Sequence, residues 1–248
     1  MVNVMSLIKK TFKTNHYLIY LLLFIFLVST NISHAENKTL IRSVDFSQQP
    51  DGDARAWLLE RGYLLKLDAD EFDLKFKNGQ LNIKTSDSKA SLFVLKLKPE
   101  NYIANVSSIE MEWGVIKHPD GANWEEGNNR VALAFMFFFG TEKISSGLPF
   151  QINSAPYFIS PFIGSKEQKG KTYTGKLYKK GGRYICVATT NGSNKLIKSN
   201  IEVNPEYMNL FNKDKIPPIT GIAFQMNTSD TEGGAHAFIQ KLNFYSSK

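Results

Sequence analysis

Two carboxylates on one predicted strand are the strongest catalytic candidates in this sequence. Glu110 and Glu112 lie in residues 106–115, where apolar and polar residues alternate. Residues i and i+2 of a strand point to the same side, about 6–7 Å apart. Glycosidases separate their two catalytic carboxyl groups by about 5–9.5 Å. The spacing therefore fits a glycoside hydrolase or lyase, but the simpler interpretation is the solvated face of an amphipathic strand that carries two surface acids.

A polar loop, residues 117–130, is the candidate for ligand binding without catalysis. Its candidate ligand-binding residues are Trp124, Glu125, Glu126, Asn128 and Asn129. An aromatic ring can stack on the apolar face of a sugar while carboxylates and amides take the hydroxyls. The loop predicts carbohydrate binding, and the competing interpretation is a surface loop whose tryptophan folds back onto the protein.

The turn at residues 227–234 is the candidate for a cation. Asn227, Asp230 and Glu232 could hold a structural Ca²⁺ together with backbone carbonyls, and a glycine-rich hairpin turn is the simpler account. No other cofactor is expected. The segment that follows residue 35 has two histidines, His118 and His236, without zinc-site spacing, and no phosphate-binding loop is present.

Strands are the elements that must position these residues. Residues 131–139 (VALAFMFFF) are apolar on both faces, which predicts a central strand covered on both sides. Short helices are predicted at residues 54–61 and 204–211, the second with Asn204 as N-cap and Pro205 at its first position. The other predicted strands are residues 41–46, 72–76, 81–84, 91–97, 106–115, 157–163, 183–190, 196–203, 219–226 and 237–245. The pattern predicts an all-β fold, a single jelly-roll-like β-sandwich with one or two short helices.

Four tracts together carry a resemblance to a known family. They are Glu112-Trp113, Asn128-Asn129-Arg130, Gly181-Gly182-Arg183-Tyr184 and residues 218–237 (PITGIAFQMNTSDTEGGAHA). They resemble a family of exported Gram-negative bacterial proteins classed only as a domain of unknown function, with a Thr/Asp-rich turn near the C-terminus. The resemblance covers roughly residues 90–245 and implies export and a β fold, without an established activity. Asn227 and Ser229 stand where that family's turn usually carries aspartates, and Asn128 and Asn129 replace an acidic pair.

Residues 1–35 have the pattern of a secretory signal peptide. Three lysines precede the apolar residues 17–28, and Ser33-His34-Ala35 forms a small-x-small cleavage motif. The apolar core is shorter than the roughly 20 residues of a membrane span. We expect cleavage after Ala35, leaving residues 36–248 as one domain, periplasmic or secreted and without membrane contact. An uncleaved anchor is the alternative.

Composition narrows the class of protein. Of the 248 residues, 42% are hydrophobic and 12% aromatic, enough for a sizeable core. The formal charge of +7 is raised by the lysines of the N-terminal segment, and the remaining excess gives nucleic-acid binding little support. The single cysteine, Cys186, lies in an apolar tract and is predicted to be a buried structural thiol.

The function expected from the sequence is an exported, non-catalytic module that binds a carbohydrate or envelope polysaccharide. One alternative is a jelly-roll glycoside hydrolase or lyase that uses Glu110 and Glu112. Another is a structural or interaction protein of the cell envelope. The sequence does not set the oligomeric state.

Overall fold

The computed structural model describes residues 38–148 and 154–247, so the signal peptide predicted at residues 1–35 lies outside the described residues. Within those ranges, no helix has the length and apolar character needed to cross a membrane.

Strands dominate the described chain. In chain order they are β1 Lys38–Asp45, β2 Gly52–Asp53, β3 Tyr63–Leu67, β4 Asp73–Lys77, β5 Gln80–Thr85, β6 Ala90–Lys96, β7 Ser108–Lys117, β8 Val131–Ile144, β9 Ala155–Gly164, β10 Thr172–Tyr173, β11 Gly182–Thr189, β12 Ile197–Glu202, β13 Ile219–Asn227 and β14 Ala235–Ser247. The α-helices are α1 Arg55–Glu60 and α2 Val203–Phe211.

The strands form two sheets. Sheet A has the order β12-β7-β14-β5-β4-β2, and β1 pairs with the second half of β14. Sheet B has the order β10-β11-β9-β8-β13-β6-β3. All strand pairs are antiparallel except β11 with β9. The expected all-β, jelly-roll-like β-sandwich with short helices is confirmed.

The main core lies between the two sheets. The alternation of β7 turns Ile109, Met111 and Trp113 inward, as the sequence predicts, and all three side chains are fully buried. The Trp113 ring packs against Phe135 of β8 with 4.9 Å between ring centroids. Its indole N–H donates to Ser199 Oγ at 3.1 Å, so the buried polar atom is satisfied.

Sheet B carries a second apolar layer on its outer face, the face turned away from sheet A. Phe135, Phe137 and Phe139 of β8 belong to the main core, whereas Ala134 and Met136 belong to separate buried clusters. Since alternate residues of a strand point to opposite sides, these clusters lie on the outer face. The prediction that β8 is covered on both sides is confirmed.

Two local predictions have different outcomes. The predicted hairpin at Asn78-Gly79 joins β4 to β5, with both residues at positive φ (55° and 68°), as its tight turn requires. The predicted cap of the second helix is wrong, because α2 begins at Val203 and not at Pro205. The Val203 N–H donates to the Ser107 carbonyl, so strand β12 continues directly into the helix.

Candidate functional site

The outer face of sheet B is the candidate site, because it presents a cluster of partly exposed rings and aliphatic side chains. Cross-strand pairs set Leu92 opposite Gln225 and Val94 opposite Ala223. Phe138 lies opposite Phe158 on β9, and Tyr184 follows on β11. Six half-buried residues define what we call the aromatic face: Leu92, Val94, Phe138, Tyr178, Tyr184 and Gln225.

Aromatic packing fixes the shape of this face. The Phe158 ring is buried beneath it and meets the rings of Tyr178 and Tyr184 edge to face, each with 5.9 Å between centroids. Burial raises the pKa of Tyr184, and its side chain hydrogen-bonds to that of Gln225. An amide and a phenol hydroxyl are thereby fixed beside apolar surface.

Trp124 folds back onto the outer face of sheet B and does not project from its loop. Only 6% of the residue is exposed. The indole stacks on Phe162 and lies 4.6 Å from the Tyr184 ring centroid. Its N–H donates to the Arg130 carbonyl at 3.2 Å. The predicted role as a stacking platform must be corrected, because the buried ring has no free face for a sugar; as in the competing interpretation, it is folded back onto the protein, and it packs beside Tyr184 of the aromatic face.

Glu167 ties the Trp124 loop to the loop that follows β9. The residue is 2% exposed, and its carboxylate accepts hydrogen bonds from the backbone N–H groups of Trp124, Ser165 and Lys166. Three donors stabilise a buried carboxylate that forms no ion pair with any described residue. Sequence reasoning missed this residue, since the contact that joins the two loops, the Trp124 N–H, lies 43 residues away in the sequence.

Glu125 lies at the rim of the aromatic face. Its carboxylate accepts hydrogen bonds from Lys171 and from the Tyr173 hydroxyl, the latter at 2.6 Å. These bonds lower the pKa of Glu125. Burial, followed by the bond to Glu125, raises the pKa of Tyr173.

The other predicted ligand-binding residues remain in the loop. Glu126 is exposed, and the half-buried Asn128 donates from Nδ2 to the Gly121 carbonyl at 2.9 Å. Asn129 is half-buried just before Arg130. The structure brings Trp124 and Glu125 together with the aromatic face, while Asn128 serves the loop itself.

The residues predicted to hold Ca²⁺ have other partners. The Asn227 side chain accepts from the Ser229 N–H at 3.1 Å, and the Asp230 carboxylate pairs with Arg130. Glu232 contributes its backbone to a bridge with Asp120. Among residues 38–148 and 154–247, no three His, Cys, Asp or Glu side chains are grouped as metal ligands. Calcium binding at this turn stays a prediction.

Glu110 and Glu112 lie on the outer face of sheet A, remote from the aromatic face. Glu112 forms an ion pair with Lys198 at 2.8 Å, and its neighbour on β14 is Lys241. Glu110 lies between Asn200 and Asn243 and hydrogen-bonds to the Tyr245 hydroxyl. Both acids therefore belong to a network of matched polar partners.

Gly114 is the next residue after Glu112 on the outer side of β7, and other residues cover it. A Cβ atom there would come within 2.3 Å of the Phe238 ring and 2.8 Å of the Lys195 carbonyl. The loop that contains Lys195 therefore covers β7 at Gly114, two residues from Glu112.

Two clefts lie at one end of the sandwich, on either side of Pro217. They measure about 510 and 380 Å³ and share Phe139, which is buried. In the smaller cleft the Tyr157 ring packs against Tyr207 and Phe211, and Lys213 lies 5.1 Å from its centroid. These neighbours pack around the Tyr157 ring and reduce the surface that it offers to a ligand.

Cys186 is buried beneath the outer layer, as predicted. Its thiol contacts the Thr189 hydroxyl at 3.6 Å, and burial raises its pKa. A buried thiol that resists ionisation is a structural residue and a poor nucleophile.

No known protein-family model and no curated protein sequence matches this chain. The resemblance to an exported family of unknown function therefore stays a prediction.

Several solved structures are similar to the chain at low scores. One is the xyloglucanase domain of NopAA, a type three effector from Sinorhizobium fredii, in complex with cellobiose: identity is 11% and the TM-score 0.34, over 68% of this chain and 84% of that one. PfGH50B shares 9% identity with a TM-score of 0.29, over 75% of this chain and 23% of its own. An endo-1,4-β-xylanase from Trichoderma reesei shares 7% with a TM-score of 0.31, over 73% and 96%. Similarities this weak carry no argument about function.

Proposed function

We propose that this protein is a non-catalytic carbohydrate-binding β-sandwich that holds an envelope polysaccharide against the aromatic face. The observation that carries the proposal is the aromatic face itself. This half-buried apolar surface adjoins the Gln225 amide and the hydrogen-bonded Glu125 and Tyr173, so it offers a ligand both packing area and polar partners.

The chemistry of the face suits a sugar chain. The C–H faces of a pyranose ring are apolar and pack on Phe138, Tyr178 and Tyr184, while its hydroxyls need donors and acceptors such as the Gln225 amide. Most of these side chains stand on paired strands of one sheet, so little ordering would accompany binding. A broad sheet face also suits a long polymer better than an enclosed pocket does.

The positions of the acidic side chains favour a binding role over glycoside hydrolysis. Glycoside hydrolysis needs two carboxyl groups that flank one bond. Among the described strand residues that form the aromatic face, none is acidic. Glu110 and Glu112 lie on the other sheet within a network of polar partners.

Removal of one exposed ring tests the proposal. Tyr178→Ala should weaken binding of the full chain to soluble polysaccharides by about tenfold or more, equivalent to about 1.4 kcal/mol, because one stacking surface is lost. Binding is measured by affinity electrophoresis with hydroxyethylcellulose and polygalacturonate in the gel. Circular dichroism first verifies that each variant is folded.

Tyr245→Ala is the matched control, since Tyr245 is a half-buried tyrosine on the outer face of sheet A. It should leave the affinity unchanged. If the folded wild type binds neither polymer, or if both variants weaken binding equally, the carbohydrate proposal is wrong and a role in docking another envelope protein takes its place.

A further inference from the structure

Unmatched positive charge borders the aromatic face on two sides. Residues 164–183 contain six lysines and one arginine, and their single acid, Glu167, is buried. This segment passes across the face, with Tyr178 on it. On the opposite side, Lys66 pairs across strands with Leu92 and Lys96 with Gly221, so both lysines point outward from sheet B.

Most of these cations have no partner. Lys66, Lys96, Lys176, Lys179 and Lys180 are exposed, and none forms an ion pair with a residue of the described ranges. At the rim of the face Glu125 pairs with Lys171, and Asp230 pairs with Arg130. Glu126, in the same loop as Glu125, is an exposed acid. The five lysines outnumber it, so the field over the aromatic face is positive.

The outer face of sheet A carries more matched charges. There Asp45 pairs with Lys241 at 2.7 Å and Glu112 with Lys198 at 2.8 Å. Glu202 pairs with Lys38, also at 2.8 Å. Lys77 and Lys84, on strands β4 and β5 of that face, form no ion pair with a described residue, so the matched lysines are those on and beside β7, β12 and β14.

We infer that the ligand of the aromatic face is an anionic polysaccharide, whose sugar rings stack on the aromatic residues while its carboxylates meet the bordering lysines. This inference rests on the proposed function and narrows its ligand to polymers of acidic sugars. Lys66 and Lys96 on one side and Lys176, Lys179 and Lys180 on the other provide charges along a chain that crosses the sheet.

A nucleic acid fits these observations less well. The bordering cations are lysines, whereas the one arginine of the segment, Arg183, donates to backbone carbonyls and lies over the Phe211 ring. Arginine forks are the preferred partners of phosphodiesters, and lysine offers a compact charge that also serves carboxylates.

A charge-removal experiment tests the inference on the full chain. Lys66→Gln/Lys96→Gln should weaken binding to polygalacturonate by about fivefold or more at about 0.05 M NaCl, and the difference should shrink at about 0.5 M because salt screens the charges. Lys198→Gln/Lys241→Gln, which removes two ion-paired lysines from sheet A, is the matched control and should not change the affinity. Hydroxyethylcellulose should bind more weakly than polygalacturonate.

Each of the other possible results leads to a different conclusion. Equal binding of the neutral and acidic polymers, unaffected by the Lys66 and Lys96 changes, would overturn the anionic ligand and leave the carbohydrate proposal standing. Binding of neither polymer would overturn both. Binding of a single-stranded oligonucleotide as tightly as polygalacturonate would show that charge alone is recognised, and the inference would fail.

Discussion

His118 is a side chain whose protonation its surroundings disfavour. Burial lowers its pKa, against the opposing effects of a hydrogen bond to the backbone of Thr190 and the charge of Glu167. Its Nε2 atom is buried without a hydrogen-bond partner among residues 38–148 and 154–247. A proton added at Nε2 would therefore be a buried, unsatisfied donor.

The stability of the folded chain should depend on pH through this residue. Below the ordinary histidine pKa of about 6.5 the unfolded chain binds a proton that folded His118 resists, so the free energy of unfolding falls with falling pH. Above that value the histidine is uncharged in both the folded and the unfolded chain, and the folded chain keeps its full stability. Urea denaturation at about pH 7.5 and 5.5 should show a smaller loss for His118→Gln than for wild type. An equal loss in both proteins would contradict this assignment.

At the same scale, Trp124 shows how far residue types alone predict a site. The sequence identifies a tryptophan among carboxylates and amides, and the structure places that residue at the candidate site. The direction of its ring was not predictable, because it depends on Phe162 and Tyr184 from strands that follow it in the chain. Tyr178, a half-buried ring of the aromatic face, lies in the lysine-rich segment, whose position over the sheet no local pattern reveals.

At the scale of the structural elements, the buried carboxylate of Glu167 holds together the Trp124 loop and the loop that follows β9. Glu167→Gln should lower the free energy of unfolding by about 1–3 kcal/mol, because an amide oxygen cannot replace two carboxylate oxygens that accept three backbone hydrogen bonds. The Trp124 loop should loosen, so tryptophan fluorescence should shift to the red and affinity for the polysaccharide should fall. Denaturant titration and emission spectra measure these effects.

Glu126→Gln supplies the comparison at an exposed acid of the same loop. It should alter neither stability nor emission. A fully stable Glu167→Gln protein would mean that the two loops are held by other contacts.

The strands show which elements a sequence can predict. Strict alternation identified β7, and the apolar run identified β8, because each pattern follows from which faces are buried. Strand β3 was missed, since as an edge strand it pairs only with β6 and leaves Leu64 and Leu67 exposed. The parallel pairing of β11 with β9 was missed as well, because parallel neighbours are not joined by a turn that the sequence would mark.

For the whole molecule, the remaining prediction concerns export. We expect the N-terminal segment to direct secretion and to be removed after Ala35, so that the exported protein begins at Glu36. N-terminal sequencing of the protein recovered from the periplasm or medium measures this. Ala35→Asp should block cleavage, since the site requires a small residue, and the uncleaved chain should stay with the membrane fraction.

The opposite result of the same experiment would also be informative. A wild-type protein that keeps residues 1–35 and remains with the membrane would establish the anchor alternative. The aromatic face would then be presented at the membrane surface.

Sheet A can be completed only when its last strand, β14, is present. It pairs with β7 along one edge and with both β5 and β1 along the other, so the final strand of the chain lies inside sheet A. A polypeptide is synthesised from its first residue to its last. Until Ala235–Ser247 emerges, β1 has no partner in the sheet and β5 and β7 each lack a neighbour. Sheet A therefore closes in one late step, after the last strand of the chain has been made.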